Sequence, residues 1–175
     1  MKIKSTTILG VRVGKNIALG GDGQVTLGDM QLKSKAIKVR EFGNGNVYAG
    51  FAGAAADAMS LFEKFEMKLD ETNGNLQRAV VEMAKDWRMD KVLRELDALL
   101  AIMDRKSSFI LSGTGDVIEP DNNIISIGSG SGFAIAAAKA FLKTGQKNPK
   151  QVVTDSLQIT ADLCIYTNDR ITVLG

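Results

Sequence analysis

The spacing of apolar residues changes rhythm several times along the chain, and each change marks a predicted element. From residue 7 to 53 the runs are short and read as strands. Residues 7–13 and 17–21 flank a Val13-Gly14-Lys15-Asn16 turn. Residues 32–40 and 46–53 flank Gly43-Asn44-Gly45-Asn46, the turn chemistry of a second hairpin. Within 32–40 the alternation puts Ile37 and Val39 on one face, and Lys38 on the other with Ala36 and Arg40. The rhythm then lengthens. Met59, Leu61, Phe62, Phe65 and Leu69 predict a helix over 57–69. Asn73-Gly74-Asn75 ends it, and Asn75 can cap the next. A stripe of Leu76, Ala79, Val80, Met83, Ala84 and Trp87 carries that helix to about residue 96.

Strands return at 98–104 and 107–112, near Val117, and at 124–127. Gly128-Ser129-Gly130-Ser131-Gly132 leads into an alanine-rich helix over 133–142. Asn148-Pro149 pairs a cap with a proline at the first helical position, opening a helix to about Cys164, and 171–174 is a last strand. Strands, two helices, strands, two helices and a strand suit two packed sheets with helices on both outer faces. The order does not alternate strand with helix, which argues against a doubly wound parallel sheet. No repeat, linker or composition shift divides the chain.

Composition narrows the chemistry. The 175 residues are 45% hydrophobic and 24% charged, enough for one domain with its own core. A net charge of +2 gives no pull toward nucleic acid or membrane. Residues 1–5 are too short for a secretory signal, and no run approaches the ~20 apolar residues of a membrane span. A single cysteine, Cys164, allows no internal disulfide or cysteine-cluster zinc site and fits a reducing, cytoplasmic setting. No histidine is present, so serine–histidine and cysteine–histidine relays and histidine-bound zinc are excluded.

Threonine remains as a nucleophile that needs no histidine. At the first position of a processed chain, its own α-amine, titrating near pH ~8, serves as the base. Thr6-Thr7 precedes the apolar run Ile8-Leu9-Gly10-Val11, so this chemistry requires cleavage between Ser5 and Thr6. A Thr-Thr pair opening an edge strand is by itself unremarkable. Lys38 reads either as a solvated strand lysine or as an ammonium that lowers the pKa of a nearby hydroxyl and amine. Asp22, in a Gly-Asp-Gly turn, is ordinary turn chemistry or the partner that holds Lys38. Ser129 is a helix cap or part of a loop whose amides face an oxyanion. The glycine spacing there is not that of a dinucleotide site, and no phosphate loop occurs, so ATP hydrolysis is not expected of this chain.

Taken in order, several segments resemble the HslV (ClpQ) family, bacterial relatives of proteasome β-subunits. They are Thr6-Thr7-Ile8, the run from Gly21 to Gly28, Lys38-Val39-Arg40, Ala49-Gly50-Phe51-Ala52-Gly53 and Ala56-Asp57-Ala58. They continue with Ala84-Lys85-Asp86-Trp87-Arg88, the run from Ser112 to Val117, Ile127-Gly128-Ser129-Gly130 and Cys164-Ile165-Tyr166-Thr167-Asn168. The resemblance implies a four-layer α/β/β/α sandwich of the N-terminal-nucleophile hydrolase type and a threonine endopeptidase. Residues 1–5 would be a leader that is removed and 6–175 a single peptidase domain. It implies a homo-oligomer of two stacked hexameric rings and a separate ring ATPase, HslU (ClpY), that uses ATP to feed protein substrates. Thr6 then matches the nucleophile, Asp22, Lys38 and Ser129 its charge network, and Gly50 the amide donor of the oxyanion hole. Carbonyls of Ala161, Cys164 and Thr167 match a monovalent cation site, usually sodium, with no cofactor needed for the chemistry. Ala161 and Ser131 stand where the family has glycine. Two other readings remain: a non-catalytic ring subunit that keeps its leader, and an N-terminal-nucleophile amidohydrolase acting on a small amide.

Overall fold

A computed structural model describes residues 6–53, 55–90 and 98–175, with the side chains of 55–58 left aside. Two antiparallel sheets face each other. The first has the order β10 (Ile124–Gly128), β1 (Thr7–Val13), β2 (Asn16–Gly21), β11 (Thr172–Leu174). The second runs β5 (Val39–Phe42), β6 (Val47–Ala52), β7 (Leu99–Met103), β8 (Ser108–Ser112), β9 (Val117–Ile118). A small hairpin, β3 (Val25–Leu27) with β4 (Met30–Lys33), stands apart from both.

The strand sequences explain the layering. β1 and β6 are apolar almost throughout because both of their faces are covered. On β1, Ile8 joins the cluster between the sheets, while Leu9 and Val11 face the helices. On β6, Tyr48 and Ala52 face the other sheet, while Val47, Ala49 and Phe51 face outward. α1 (Ala55–Glu71) and α2 (Leu76–Met89) cover the five-stranded sheet through Phe62, Phe65, Met83 and Trp87. α3 (Ser131–Lys143) and α4 (Pro149–Leu163) cover the four-stranded sheet through Ala134, Ala138, Val152, Val153 and Leu157. The result is the expected α/β/β/α sandwich. Among the described residues no helix is long and apolar enough to cross a membrane.

Asn75 accepts from the Arg78 amide and Asn148 from the Gln151 amide, so both predicted caps are present. Three expectations change. The strand predicted over 32–40 is two strands, β4 and β5, separated by an irregular stretch at 34–38. Consequently Ile37 and Val39 do not share a face: Ile37 is 75% exposed and Val39 buried. The second helix ends at Met89, where the Asp90 amide caps back onto the Asp86 carbonyl. Its predicted continuation past 90 falls on 91–97, outside the described residues, as does the expected leader at 1–5. The β3–β4 hairpin was not legible, since it pairs with neither sheet and all of β4 is exposed.

Candidate active site

The site lies at one end of the sandwich, where β1 begins and β2 ends. Thr6 immediately precedes β1, which is flanked on both sides by β10 and β2. Its carbonyl accepts from the Ser129 amide at 2.9 Å. Gly128 allows this approach: it has φ +95, and a Cβ there would overlap the Thr6 carbonyl oxygen. Thr6 is 1% exposed, and among the described residues its Oγ1, like the hydroxyls of Ser108 and Ser156, has no hydrogen-bond partner. Buried hydroxyls are normally satisfied, and of these three only Thr6 borders a cavity shared with Lys38.

Asp22 follows β2 and is fully buried. Its Oδ1 accepts from the Thr7 amide at 2.8 Å and from Lys38 Nζ at 3.0 Å. Its Oδ2 accepts from the Gln24 amide at 2.9 Å and the Asn168 amide at 3.3 Å. The carboxylate is thereby fixed against both the first strand and the lysine. Lys38 is 3% exposed, and its ammonium also donates to the Gln24 carbonyl. The alternating pattern failed here because this contact outweighs strand regularity. A buried ammonium needs a partner, and Asp22 supplies it from the other sheet's strand end. Burial pushes the Lys38 pKa below its usual value, and the adjacent Asp22 charge and hydrogen bond oppose that fall.

Thr6 and Lys38 line one cavity of about 220 Å³, walled by Val25, Phe51, Met59 and Phe62 among others. The nucleophile candidate, a held positive charge and apolar walls therefore meet in one place. Ser129 joins through its backbone, while its side chain is exposed. Gly50 lies inside β6, paired with Val39 and Ala101, and a Cβ on it would strike Ile8. The residues of that strand end which line the cavity are Phe51 and Gly53.

The cation-site residues lie behind the nucleophile. Ala161 is in the last turn of α4, where helix carbonyls run out of amide partners. Cys164 is the C-cap, and its carbonyl accepts from the Thr167 amide at 3.0 Å. Carbonyl oxygens at the negative end of a helix suit a hard monovalent cation, so the donor set fits. Ala161 is not among the residues with positive φ, so alanine meets no backbone penalty there.

Sequence reasoning missed four supporting groups. Thr7 Oγ1 accepts from the Gly130 amide at 3.0 Å and bonds Thr167 Oγ1 at 2.7 Å, tying the glycine loop to β1. The side-chain hydroxyl of Thr167 therefore has a part of its own, beyond its carbonyl. Gln24 donates to the Ile165 carbonyl at 2.8 Å. Asn168 accepts from the Gly23 amide at 3.0 Å and donates to the Ser34 carbonyl at 3.0 Å, clamping the loops around Asp22. The only signal for these was a polar residue inside a motif already noticed; their partners are up to 160 residues away.

With this geometry in view, comparisons with known proteins agree among themselves. The family model described as proteasome subunit matches residues 3–174. The ATP-dependent protease subunit HslV of Thermosipho melanesiensis is 52% identical over 173 residues, covering 99% of this chain and 98% of the relative. The subunit of the same name from Thermosipho africanus is likewise 52% identical over 173 residues. The crystal structure of eukaryotic HslV from Trypanosoma brucei superposes with a TM-score of 0.89 at 41% identity, covering 95% of this chain and 97% of that one.

Proposed function

The chain belongs to the proteasome-subunit family as a protease of the HslV type, and on that premise we propose that Thr6 is its nucleophile, unmasked by loss of residues 1–5. The observation that carries this reading is the buried Thr6 Oγ1, without a partner among the described residues, in the same cavity as the Asp22-held Lys38. The free α-amine of Thr6 takes the hydroxyl proton as Oγ1 attacks a peptide carbonyl. Lys38 lowers the cost of the developing negative charge. Gly50, expected to receive the oxyanion, sits in the ladder away from the cavity, so the role passes to the backbone at Gly53, which lines it. The proton then passes to the leaving amine, and water releases the acyl group from Thr6 by the reverse route. Ser129 and Thr7 hold the strand start in register. A sodium ion at the carbonyls of Ala161, Cys164 and Thr167 would stiffen the loop that carries Thr167 and Asn168.

The relatives' names give a subunit of an ATP-dependent protease; to that we add the assembly and partner that the family resemblance implies, two stacked hexameric rings in the cytoplasm fed by the ring ATPase HslU. The chain carries no phosphate loop, so coupling ATP to unfolding falls to the partner. The test is degradation of a stably folded reporter, with and without HslU and ATP, beside the intact mass of the purified protein. Expected results are a mass lacking residues 1–5, a retained leader in Thr6→Ala, and reporter loss only with HslU and ATP. Peptidase activity in protein that still carries Met1 would overturn the assignment of Thr6. Reporter degradation by the isolated protein, absent from Thr6→Ala, would overturn the two-component reading.

A further inference from the structure

A second, larger cavity of about 620 Å³ lies at the opposite end of the sandwich. Its wall includes the β1–β2 turn, and the Thr7 end of β1 is about 20 Å away, at ~3.4 Å per strand residue. It is therefore separate from the Thr6 site. Four cations reach it from three places: Lys15 from the β1–β2 turn, Arg105 from the β7–β8 turn, and Lys147 and Lys150 from the start of α4. Among the described residues no acidic side chain is in the lining, and none of the four cations has an ion-pair partner. Gly175 also borders the cavity.

Tyr48 gives a separate indication. Its ring packs with Ile8 and Ile17 between the sheets and is 9% exposed, yet it borders this cavity. Among the described residues its hydroxyl bonds no other group, and it is not one of the enclosed hydroxyls without a partner, which are those of Thr6, Ser108 and Ser156. The hydroxyl is thus the accessible tip of a buried ring, a donor whose open side is the cavity. The start of α4 adds to the same field. Asn148 caps the Gln151 amide, which leaves the Lys150 amide at the positive helix end. Donors converging around a pocket of small-molecule size favour a compact, multiply charged anion over an extended chain.

We propose that this cavity binds a phosphate-bearing small polyanion, with Tyr48 donating to a phosphoryl oxygen and Arg105, Lys147 and Lys150 neutralising its charge. Bound phosphoryl oxygens would satisfy the hydroxyl, the helix amide and the unpaired cations together. The test is calorimetric titration of the assembled protein with inorganic triphosphate at fixed ionic strength. Saturable binding at one site per chain is expected. The Arg105→Glu, Lys147→Glu double variant should weaken it at least ~10-fold, while Lys85→Glu, on the far helix layer, leaves it unchanged. Tyr48→Phe should weaken it several-fold without lowering the unfolding temperature of the anion-free protein, because the lost hydroxyl had no partner there. Absence of saturable binding, wild-type affinity in the double variant, or equal loss in Lys85→Glu would overturn the proposal. So would tighter binding of a hexaglutamate peptide than of triphosphate, which would mark the face as a surface for acidic protein segments.

Discussion

Replacing Gly128 by alanine tests whether the close approach of the glycine loop sets the position of the nucleophile. A Cβ at Gly128 would overlap the Thr6 carbonyl oxygen and lie 2.8 Å from its carbonyl carbon. Carbon atoms sit comfortably at about 3.5–4.0 Å, so Thr6 or the loop must retreat by roughly 1 Å. The retreat pulls the Ser129 amide away from the Thr6 carbonyl it now meets at 2.9 Å. A misplacement of that size at a reacting group costs on the order of 100-fold in rate, or about 2.7 kcal/mol. Gly14 provides the control. Its φ is +62, but no heavy atom lies within 4 Å of an added Cβ. Gly14→Ala should therefore lose about 1–2 kcal/mol of stability through its left-handed backbone and keep its activity. The assay is initial-rate cleavage of a fluorogenic peptide by the assembled variants with HslU present, beside thermal unfolding of each. If Gly128→Ala keeps kcat/KM within about threefold of wild type, steric placement of Thr6 by this loop is refuted. If Gly14→Ala loses as much activity, the effect belongs to general backbone strain.

Lys38→Ala should lower peptide cleavage by at least 10-fold while the rings remain assembled, because it removes charge beside Thr6 and leaves Asp22 its backbone donors; near-normal cleavage would sink the role given to Lys38. Since burial lowers the Lys38 pKa, the alkaline limb of activity should set in below the usual lysine value of 10.5, as the ammonium is lost. Between the lowered value and 10.5 the unfolded chain binds the proton that the folded one has shed, so the Lys38 contribution to stability rises with pH there. Activity should thus fall in that window without unfolding, which parallel rate and circular dichroism profiles would check. Asn168→Ala removes the clamp on Gly23 and Ser34, and should reduce kcat by several-fold with KM little changed; an effect on KM alone would place Asn168 in substrate binding instead.

Most of the layering was legible because burial on two faces leaves long apolar runs, as in β1 and β6. The caps at Asn75 and Asn148 were legible because their chemistry is local. Thr6, Asp22 and Lys38 were noticed as residue types whose chemistry could combine, but nothing in their spacing said that they meet. Lys38 shows why the remainder was hidden. Alternation describes a strand in a regular ladder, and the chain leaves the ladder at 34–38 so that an ammonium can reach Asp22. Gln24, Thr167 and Asn168 act through partners supplied by distant loops, and such contacts leave no periodic trace. The β3–β4 hairpin escaped for a related reason: an exposed ribbon has no core to impose alternation.

The two halves of the charge arrangement ride on different sheets. Thr6 opens β1 in one, Lys38 leads into β5 in the other, and the apolar seam holding Ile8, Val39 and Ile125 runs between them. One oxygen of Asp22 spans that seam, accepting the Thr7 amide from one side and Lys38 Nζ from the other. A slide of one sheet over the other would have to stretch both of those bonds before it moved Lys38 from Thr6. The carboxylate of Asp22 is thus the rivet between the two sheets at this end, and what the apolar seam does to the nucleophile it does through that one oxygen.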